Sequence, residues 1–167
     1  MNPSRRAWLR GTPARPSWLP WSDPSTVQAE CVRCGACVTA CPARVIRTGD
    51  GGFPTVDAAL GECTFCGACA AACPAPVFDR DCTPPWPLRA VVADDCLETR
   101  GIACRACEDA CPTAALRFRP APGGRANVAV DDTRCTGCGA CVSRCPAHAI
   151  TVGAPRPAAR LPETDHA

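Results

Sequence analysis

The sequence predicts an α+β fold of short helices and short hairpins, arranged as two similar halves. A cysteine run that ends in Cys-Pro occurs four times along the chain. Between the first two runs, and again between the last two, two short apolar segments flank a turn. The 19 prolines and 13 glycines among 167 residues keep regular elements short, and aromatic residues make up only 5%. So few large apolar side chains build a poor organic core.

The four runs contain sixteen of the 17 cysteines. Three of the runs read C-x2-C-x2-C-x3-C-P, the thiolate spacing that binds cubane iron–sulfur clusters. The sixteen thiols are those of Cys31, Cys34, Cys37, Cys41, Cys63, Cys66, Cys69, Cys73, Cys96, Cys104, Cys107, Cys111, Cys135, Cys138, Cys141 and Cys145. We therefore predict four [4Fe–4S] clusters, which also supply stability. Cys82 has no partner at this spacing and is predicted to be a spare thiol.

Small residues inside the runs suit close contact between backbone and cluster. Gly35, Gly67 and Gly139 occupy the same place in a C-G-A-C sequence, where the missing side chain lets N–H groups approach cluster sulfides. A short apolar pair follows each Cys-Pro. These pairs are Val45-Ile46, Val77-Phe78, Ala115-Leu116 and Ala149-Ile150.

Two other uses of cysteine are disfavoured by the spacing. A disulfide scaffold has no reason to repeat two-residue gaps four times, and an odd number of cysteines leaves one unpaired. Zinc sites use separated pairs of ligands, whereas these runs place three or four thiols in one short loop. Iron–sulfur ligation therefore remains the preferred interpretation.

The third run departs from the pattern. Seven residues separate Cys96 from Cys104, and Arg105 stands where the other runs have glycine. We expect a longer loop that lies less close to its cluster. The third site is therefore the one expected to bind weakly or to hold a three-iron cluster.

The predicted hairpins and linkers define the domain organisation. The first predicted hairpin has strands at Val45–Arg47 and Thr55-Val56 around a turn at Gly49–Gly52. The second has strands at Leu116–Phe118 and Asn127–Val130 around a turn at Pro120–Gly124. The predicted units are a flexible N-terminal arm at 1–27, a first unit at 28–79, a proline-rich joint at 80–90, a second unit at 91–152 and a disordered tail at 153–167.

Charge and residue types exclude several functions. The formal net charge is +2, and since a cluster with its four thiolates carries about −2, four clusters make the loaded protein acidic, at about −6. All basic residues are scattered arginines, so nucleic-acid binding is not expected. The arginines near the runs, Arg33, Arg105, Arg134 and Arg144, are candidates to offset cluster charge, with solvated surface charge as the alternative. Neither His148 nor His166 belongs to a catalytic set, so an enzyme is not expected.

The N-terminus contains Ser4-Arg5-Arg6-Ala7-Trp8-Leu9-Arg10, which looks like a twin-arginine export motif. An export signal also needs an apolar stretch, and here glycine and prolines follow instead. No run of 18 apolar residues occurs, so no membrane span is expected. We therefore expect a cytoplasmic protein.

Each half resembles a bacterial two-cluster ferredoxin, so the resemblance implies a tandem pair of such units. In those ferredoxins the fourth cysteine of one run ligates the other cluster. The implied sets are Cys31/Cys34/Cys37/Cys73, Cys63/Cys66/Cys69/Cys41, Cys96/Cys104/Cys107/Cys145 and Cys135/Cys138/Cys141/Cys111.

Nearly the whole chain resembles the ferredoxin-type NapF proteins associated with periplasmic nitrate reductase. The resemblance rests on the Ser-Arg-Arg opening, the segment Pro16–Trp21, the turn at 51–54 and the stretched third run. It implies a cytoplasmic protein with several [4Fe–4S] clusters that meets the catalytic subunit of nitrate reductase before export and acts in its maturation. Arg5, Arg6 and Trp8 are then candidates for docking. The alternative is a general polyferredoxin that carries electrons within a redox complex.

Overall fold

The structure is a computed structural model that describes residues 18–123 and 125–154. This part of the chain contains five short helices: α1 (Pro24–Glu30), α2 (Ala36–Ala40), α3 (Ala68–Ala71), α4 (Ala106–Asp109) and α5 (Ala140–Arg144). Its six strands are β1 (Ile46–Thr48), β2 (Pro54–Val56), β3 (Arg89–Val92), β4 (Leu116–Ala121), β5 (Arg125–Val130) and β6 (Ile150–Gly153). They form three antiparallel pairs, β1–β2, β3–β6 and β4–β5.

Both predicted hairpins are confirmed. Ile46 pairs with Val56 in the first hairpin, and a 3-10 turn at Asp50–Gly52 connects its strands. In the second hairpin the strands run further into the predicted turn than expected, because Ala121 still pairs with Arg125.

The β3–β6 pair is not predicted by the sequence patterns, and it corrects the boundaries of the second unit. Arg89 pairs with Gly153, so the unit begins inside the segment assigned to the joint and ends one residue into the predicted tail. The rest of the joint is also packed, since Trp86 and Leu88 are only 3% and 5% exposed. The strand that follows these prolines is hard to predict from sequence, because proline is rare inside strands and its presence indicates a loop.

The predicted flexible arm at 1–27 is wrong for its last ten residues. Asp23 caps α1 by accepting hydrogen bonds from the backbone N–H groups of Ser25 and Thr26. The side-chain hydroxyls of the same two residues also donate to its carboxylate, and these bonds, followed by the backbone ones, lower the pKa of Asp23. Leu19 and Val27 are fully buried in the first half. Residues 1–17, with Arg5, Arg6 and Trp8, lie outside the described residues.

Each half has its own apolar core, and cysteines belong to both. The buried residues of the first core are Leu19, Val27, Val45, Ile46, Cys69 and Val77. Those of the second are Ala90, Cys107, Ala115, Leu116, Cys135, Cys141 and Ile150. Helix α2 packs against α3, and α4 against α5. Short helices and short strands around two cysteine-rich cores make a ferredoxin-like α+β fold. The longest described helix has seven residues, and none of the described helices has the length and apolarity of a membrane span.

Candidate iron–sulfur sites

The loops of the first, second and fourth runs share one backbone conformation. In each, two alternate residues have left-handed φ angles: Arg33 (56°) and Gly35 (77°), Phe65 (52°) and Gly67 (77°), and Gly137 (71°) and Gly139 (88°). Left-handed residues within a turn let neighbouring N–H groups point to one side, which forms an anion-binding nest. A non-glycine residue pays roughly 1–2 kcal/mol for this conformation. Such strain is typical of a functional site.

Thiols from both runs of the first half meet at one site. Cys31, Cys34, Cys37 and Cys73 line a cavity that holds about 410 Å³ of empty space, open solvent included. Burial raises the pKa of Cys37, and the nearby thiolates of Cys31 and Cys73 raise it further. The backbone N–H of Arg33 donates to the sulfur of Cys31 at 3.4 Å. This site therefore combines three thiols of the first run with the last thiol of the second.

The second half contains a matching site. Cys135, Cys138 and Cys141 of the fourth run line a cavity together with Cys111 of the third. Burial raises the pKa of Cys141 to about 12, and the thiolates of Cys138 and Cys135 contribute.

Backbone N–H groups from outside the fourth run also reach sulfurs of this site. Ala90 of β3 donates to Cys135 at 3.4 Å, and Ala115 donates to Cys111 at 3.2 Å. Such N–H···S hydrogen bonds are among the interactions that set a cluster's reduction potential. The strand that sequence reasoning missed thus supplies a hydrogen bond to a candidate ligand.

The remaining thiols of the first half are also neighbours. Burial raises the pKa of Cys63, and the thiolates of Cys41 and Cys66 add to the effect. Burial raises the pKa of Cys69 to about 11. Cys66 is exposed, and the backbone N–H of Ala68 lowers its pKa.

The third run is built differently, as its spacing indicates. Arg105 has a φ of −125°, so it lacks the left-handed turn that glycine provides elsewhere. Its guanidinium forms an ion pair with Glu108 at 3.0 Å and lies over the ring of Phe118. Of the arginines that the sequence places near the runs, Arg105 therefore already has a carboxylate partner. Burial raises the pKa of Cys107 to about 11, and the thiolates of Cys96 and Cys145 contribute.

The donor sets fit cubane clusters. Within residues 18–123 and 125–154, no three or more His, Cys, Asp or Glu side chains converge closely enough for a single metal ion. A cubane makes a different demand, because each of its four irons takes one thiolate. Four thiols around a cavity, with backbone N–H groups hydrogen-bonded to their sulfurs, supply the ligands and the positive dipoles that such an anionic cluster needs.

Sequence reasoning missed one charged group at the second loop. The guanidinium of Arg80 lies against the backbone of Gly67, where an added Cβ would be 2.7 Å from Nη2, and it sits over the ring of Trp21 at 5.6 Å. No motif marks this arginine, since its position depends on the chain returning to the loop.

Cys82, the cysteine outside the four runs, is exposed.

Comparison with known proteins agrees with this geometry. Residues 30–77 and 100–149 match the 4Fe-4S dicluster domain family. The second match begins after Cys96, the first thiol of the stretched run.

Three relatives illustrate the range of similarity. The ferredoxin-type protein NapF of Haemophilus influenzae is 46% identical over 134 residues, which cover 80% of this chain and 76% of that protein. Its Escherichia coli K12 counterpart is 41% identical over 133 residues, which cover 79% of this chain and 81% of that protein. A component of the ion-translocating oxidoreductase complex of Methanosarcina acetivorans is 39% identical over 130 residues, which cover 72% of this chain and 46% of that protein.

Similarity to the first two proteins extends over about four fifths of the chain, and the dicluster-domain family matches two segments of it. Thiolate-bound cubanes are one-electron carriers. The chain belongs to the ferredoxin-type NapF family, and its chemistry is that of an iron–sulfur electron-transfer protein.

Proposed function

We propose that this chain is a cytoplasmic accessory protein that acts in the maturation of the catalytic subunit of periplasmic nitrate reductase before that subunit is exported. It would supply electrons or iron–sulfur units. The observation that carries the proposal is similarity to NapF proteins along about four fifths of the chain.

The proposed cofactors are four [4Fe–4S] clusters held by the sixteen run cysteines, with the fourth cysteines exchanged between the two runs of each half. Support comes from the two cavities, each lined by three thiols of one run and one thiol of the other run in the same half. When bound, each cluster supplies one-electron chemistry. The chain's own residues hold the clusters through thiolates and direct N–H groups at the sulfurs. Anaerobically prepared protein should contain about 16 iron and 16 sulfide per chain. Stoichiometric zinc without visible absorbance would contradict the assignment.

The proposed partner is tested by capture of the unexported nitrate reductase subunit. Arg5→Ala with Arg6→Ala is expected to weaken capture without loss of iron, because the arm is the proposed docking element. Arg117→Ala with Arg119→Ala is the matched control, since it removes two exposed arginines from β4. Equal capture by the arm variant and the parent would refute docking through the arm, and recovery of the protein outside the cytoplasm would refute the location.

A general electron carrier within a redox complex is the second candidate. It is favoured by similarity to the component of an ion-translocating oxidoreductase complex, although this chain covers only 46% of that protein. A pull-down against the cytoplasmic proteome separates the two candidates. Capture of the nitrate reductase subunit supports maturation, whereas capture of several unrelated redox enzymes supports the carrier.

A further inference from the structure

The two halves meet at their cysteine loops. The backbone N–H of Cys63, in the second run, donates a 2.8 Å hydrogen bond to the carbonyl oxygen of Cys138, in the fourth run. A Cβ added at Gly139 would lie 2.7 Å from the Cβ of Ala58 and 3.5 Å from the carbonyl oxygen of Gly61. The fourth-run loop therefore lies directly on the segment that leads into the second run.

Trp86, from the segment between the halves, touches both loops. Its Nε1–H donates a 2.8 Å hydrogen bond to the carbonyl oxygen of Thr136, which lies between Cys135 and Cys138. Its ring packs edge-to-face on Phe65, between Cys63 and Cys66, with 5.5 Å between ring centroids. The side chain is only 3% exposed. One rigid, buried indole thus spans a loop from each half.

With the proposed ligand sets, this contact lies between two clusters that could exchange electrons. Cys63 and Cys138 belong to different clusters, one in each half, so the hydrogen bond joins ligands of two clusters directly. Among the described residues, the hydrogen bonds and the ring contact at this junction come from the second- and fourth-run loops and from Trp86. Within each half, the exchanged fourth cysteines already place the two clusters side by side.

We propose that the chain arranges its four clusters in one series, in the order first, second, fourth and third run, and that Trp86 is the positioning residue that holds the two inner loops together. The proposal rests on the proposed four-cluster content. The exchange it requires would balance within the chain: the cluster held by the second-run thiols would be oxidised by one electron as the cluster held by the fourth-run thiols is reduced, or the reverse, with no bond or proton changing. In that order, the thiols of the second and fourth runs would hold the two clusters through which electrons could pass from one half to the other.

Two double variants test the order, each leaving one cluster per half. The inner-pair variant is named for the clusters that it keeps. Its substitutions, Cys34→Ala and Cys104→Ala, each remove one ligand from an outer cluster. The outer-pair variant keeps the clusters of the first and third runs. Its substitutions, Cys66→Ala and Cys138→Ala, each remove one ligand from an inner cluster. Both are reduced with dithionite without oxygen and examined by electron paramagnetic resonance, and iron is counted in the same samples. We expect spin–spin splitting in the inner-pair variant and two isolated signals in the outer-pair variant. Isolated signals in the inner-pair variant, or splitting only in the outer-pair variant, would overturn the proposed order.

The role of Trp86 is tested in the inner-pair variant. Trp86→Ala is expected to reduce the splitting at unchanged iron content, whereas Trp18→Ala, which removes a half-buried tryptophan elsewhere in the chain, is expected to leave it unchanged. Trp86→Phe keeps a ring beside Phe65 but lacks the Nε1–H, and it replaces Trp86→Ala if that variant loses iron. Equal splitting in the Trp86 and Trp18 variants would refute the positioning role.

If a cysteine variant loses more iron than its own cluster, the Trp86 and Trp18 variants are compared in the four-cluster chain. Slower spin relaxation in the Trp86 variant alone would support the proposal, and equal relaxation would refute it. A preparation without iron would refute the proposed cofactor content. Iron-replete protein with an uncoupled inner pair would refute this inference alone.

Discussion

The carboxylate of Glu98 accepts a 2.7 Å hydrogen bond from the backbone N–H of Cys104. Both residues lie in the stretched third run, where Arg105 stands in place of the left-handed glycine of the other runs. The N–H of Cys104 is thus directed to a side chain of the loop itself. Glu98 holds together the loop that the sequence singles out as irregular.

Glu98→Ala should cost the third site its cluster. The substitution removes a charge-assisted hydrogen bond that contributes about 1.5–3 kcal/mol, so the loop should no longer hold Cys104 in place. We expect about four fewer iron per chain, measured by iron analysis. Glu98→Gln keeps an acceptor and should retain the iron, with a higher reduction potential because a negative charge is removed near the cluster. Full iron content in Glu98→Ala would show that the hydrogen bond is dispensable.

Gly137→Ala should disrupt the fourth-run loop. A Cβ at this residue would collide with the carbonyl oxygen of Leu88, and the residue has a left-handed φ of 71°. Gly123→Ala is the control, since Gly123 has a similar φ of 79° but nothing within 4 Å of an added Cβ. The left-handed conformation costs alanine roughly 1–2 kcal/mol in both variants. Only Gly137→Ala should also lose iron and melt at a clearly lower temperature; equal melting temperatures would contradict the collision.

Retention of the clusters should depend on pH. Burial raises the pKa of Cys69 and Cys107 to about 11 and that of Cys141 to about 12, above the ordinary 9.0 of a thiol. At neutral pH these thiols are protonated without metal, so iron must displace a proton from each. Lower pH favours the protonated thiol, and higher pH favours the thiolate.

We therefore expect iron retention against a fixed concentration of chelator to fall as pH is lowered from about 9 to about 6, by up to about tenfold in apparent affinity per pH unit for each proton displaced. Iron remaining after gel filtration is the measurement. Retention that rises toward low pH would contradict the proton competition.

Removal of the iron should unfold the chain. The two cores contain buried cysteines among few large apolar side chains, and metal binding supplies much of the folding free energy in such domains. Far-ultraviolet circular dichroism should lose its helix and strand signal after anaerobic chelation. The zinc-free, iron-loaded protein in the same buffer is the control. An unchanged spectrum after complete removal of iron would show that the apolar cores are sufficient.

Local patterns predict much of what surrounds the sites. The C-G-A-C sequences mark the places where the backbone has an unusual conformation, since Gly35, Gly67 and Gly139 are all left-handed in the structure. Likewise, the departure of the third run is evident from Arg105 alone. The two hairpins are recognisable because apolar segments flank a turn within a few residues of each other.

Long-range contacts are not visible in the same way. The strand pair between Arg89–Val92 and Ile150–Gly153 joins residues about sixty positions apart, and the packing of Leu19 places part of the supposed arm in the first core. Neither contact leaves a local signature in the residues that make it.

The sequence by itself determined the sixteen candidate ligands, the two-half organisation and the short elements around them, because thiolate spacing and turn residues act within a few positions. Only the tertiary structure decided that the backbone N–H of Cys63 donates to the carbonyl oxygen of Cys138, that Trp86 contacts two cysteine loops and that the guanidinium of Arg80 lies against Gly67. Those relationships depend on how the halves pack against each other. Burial of apolar surface drives such packing and brings together residues that are distant in the sequence, so no short segment specifies it.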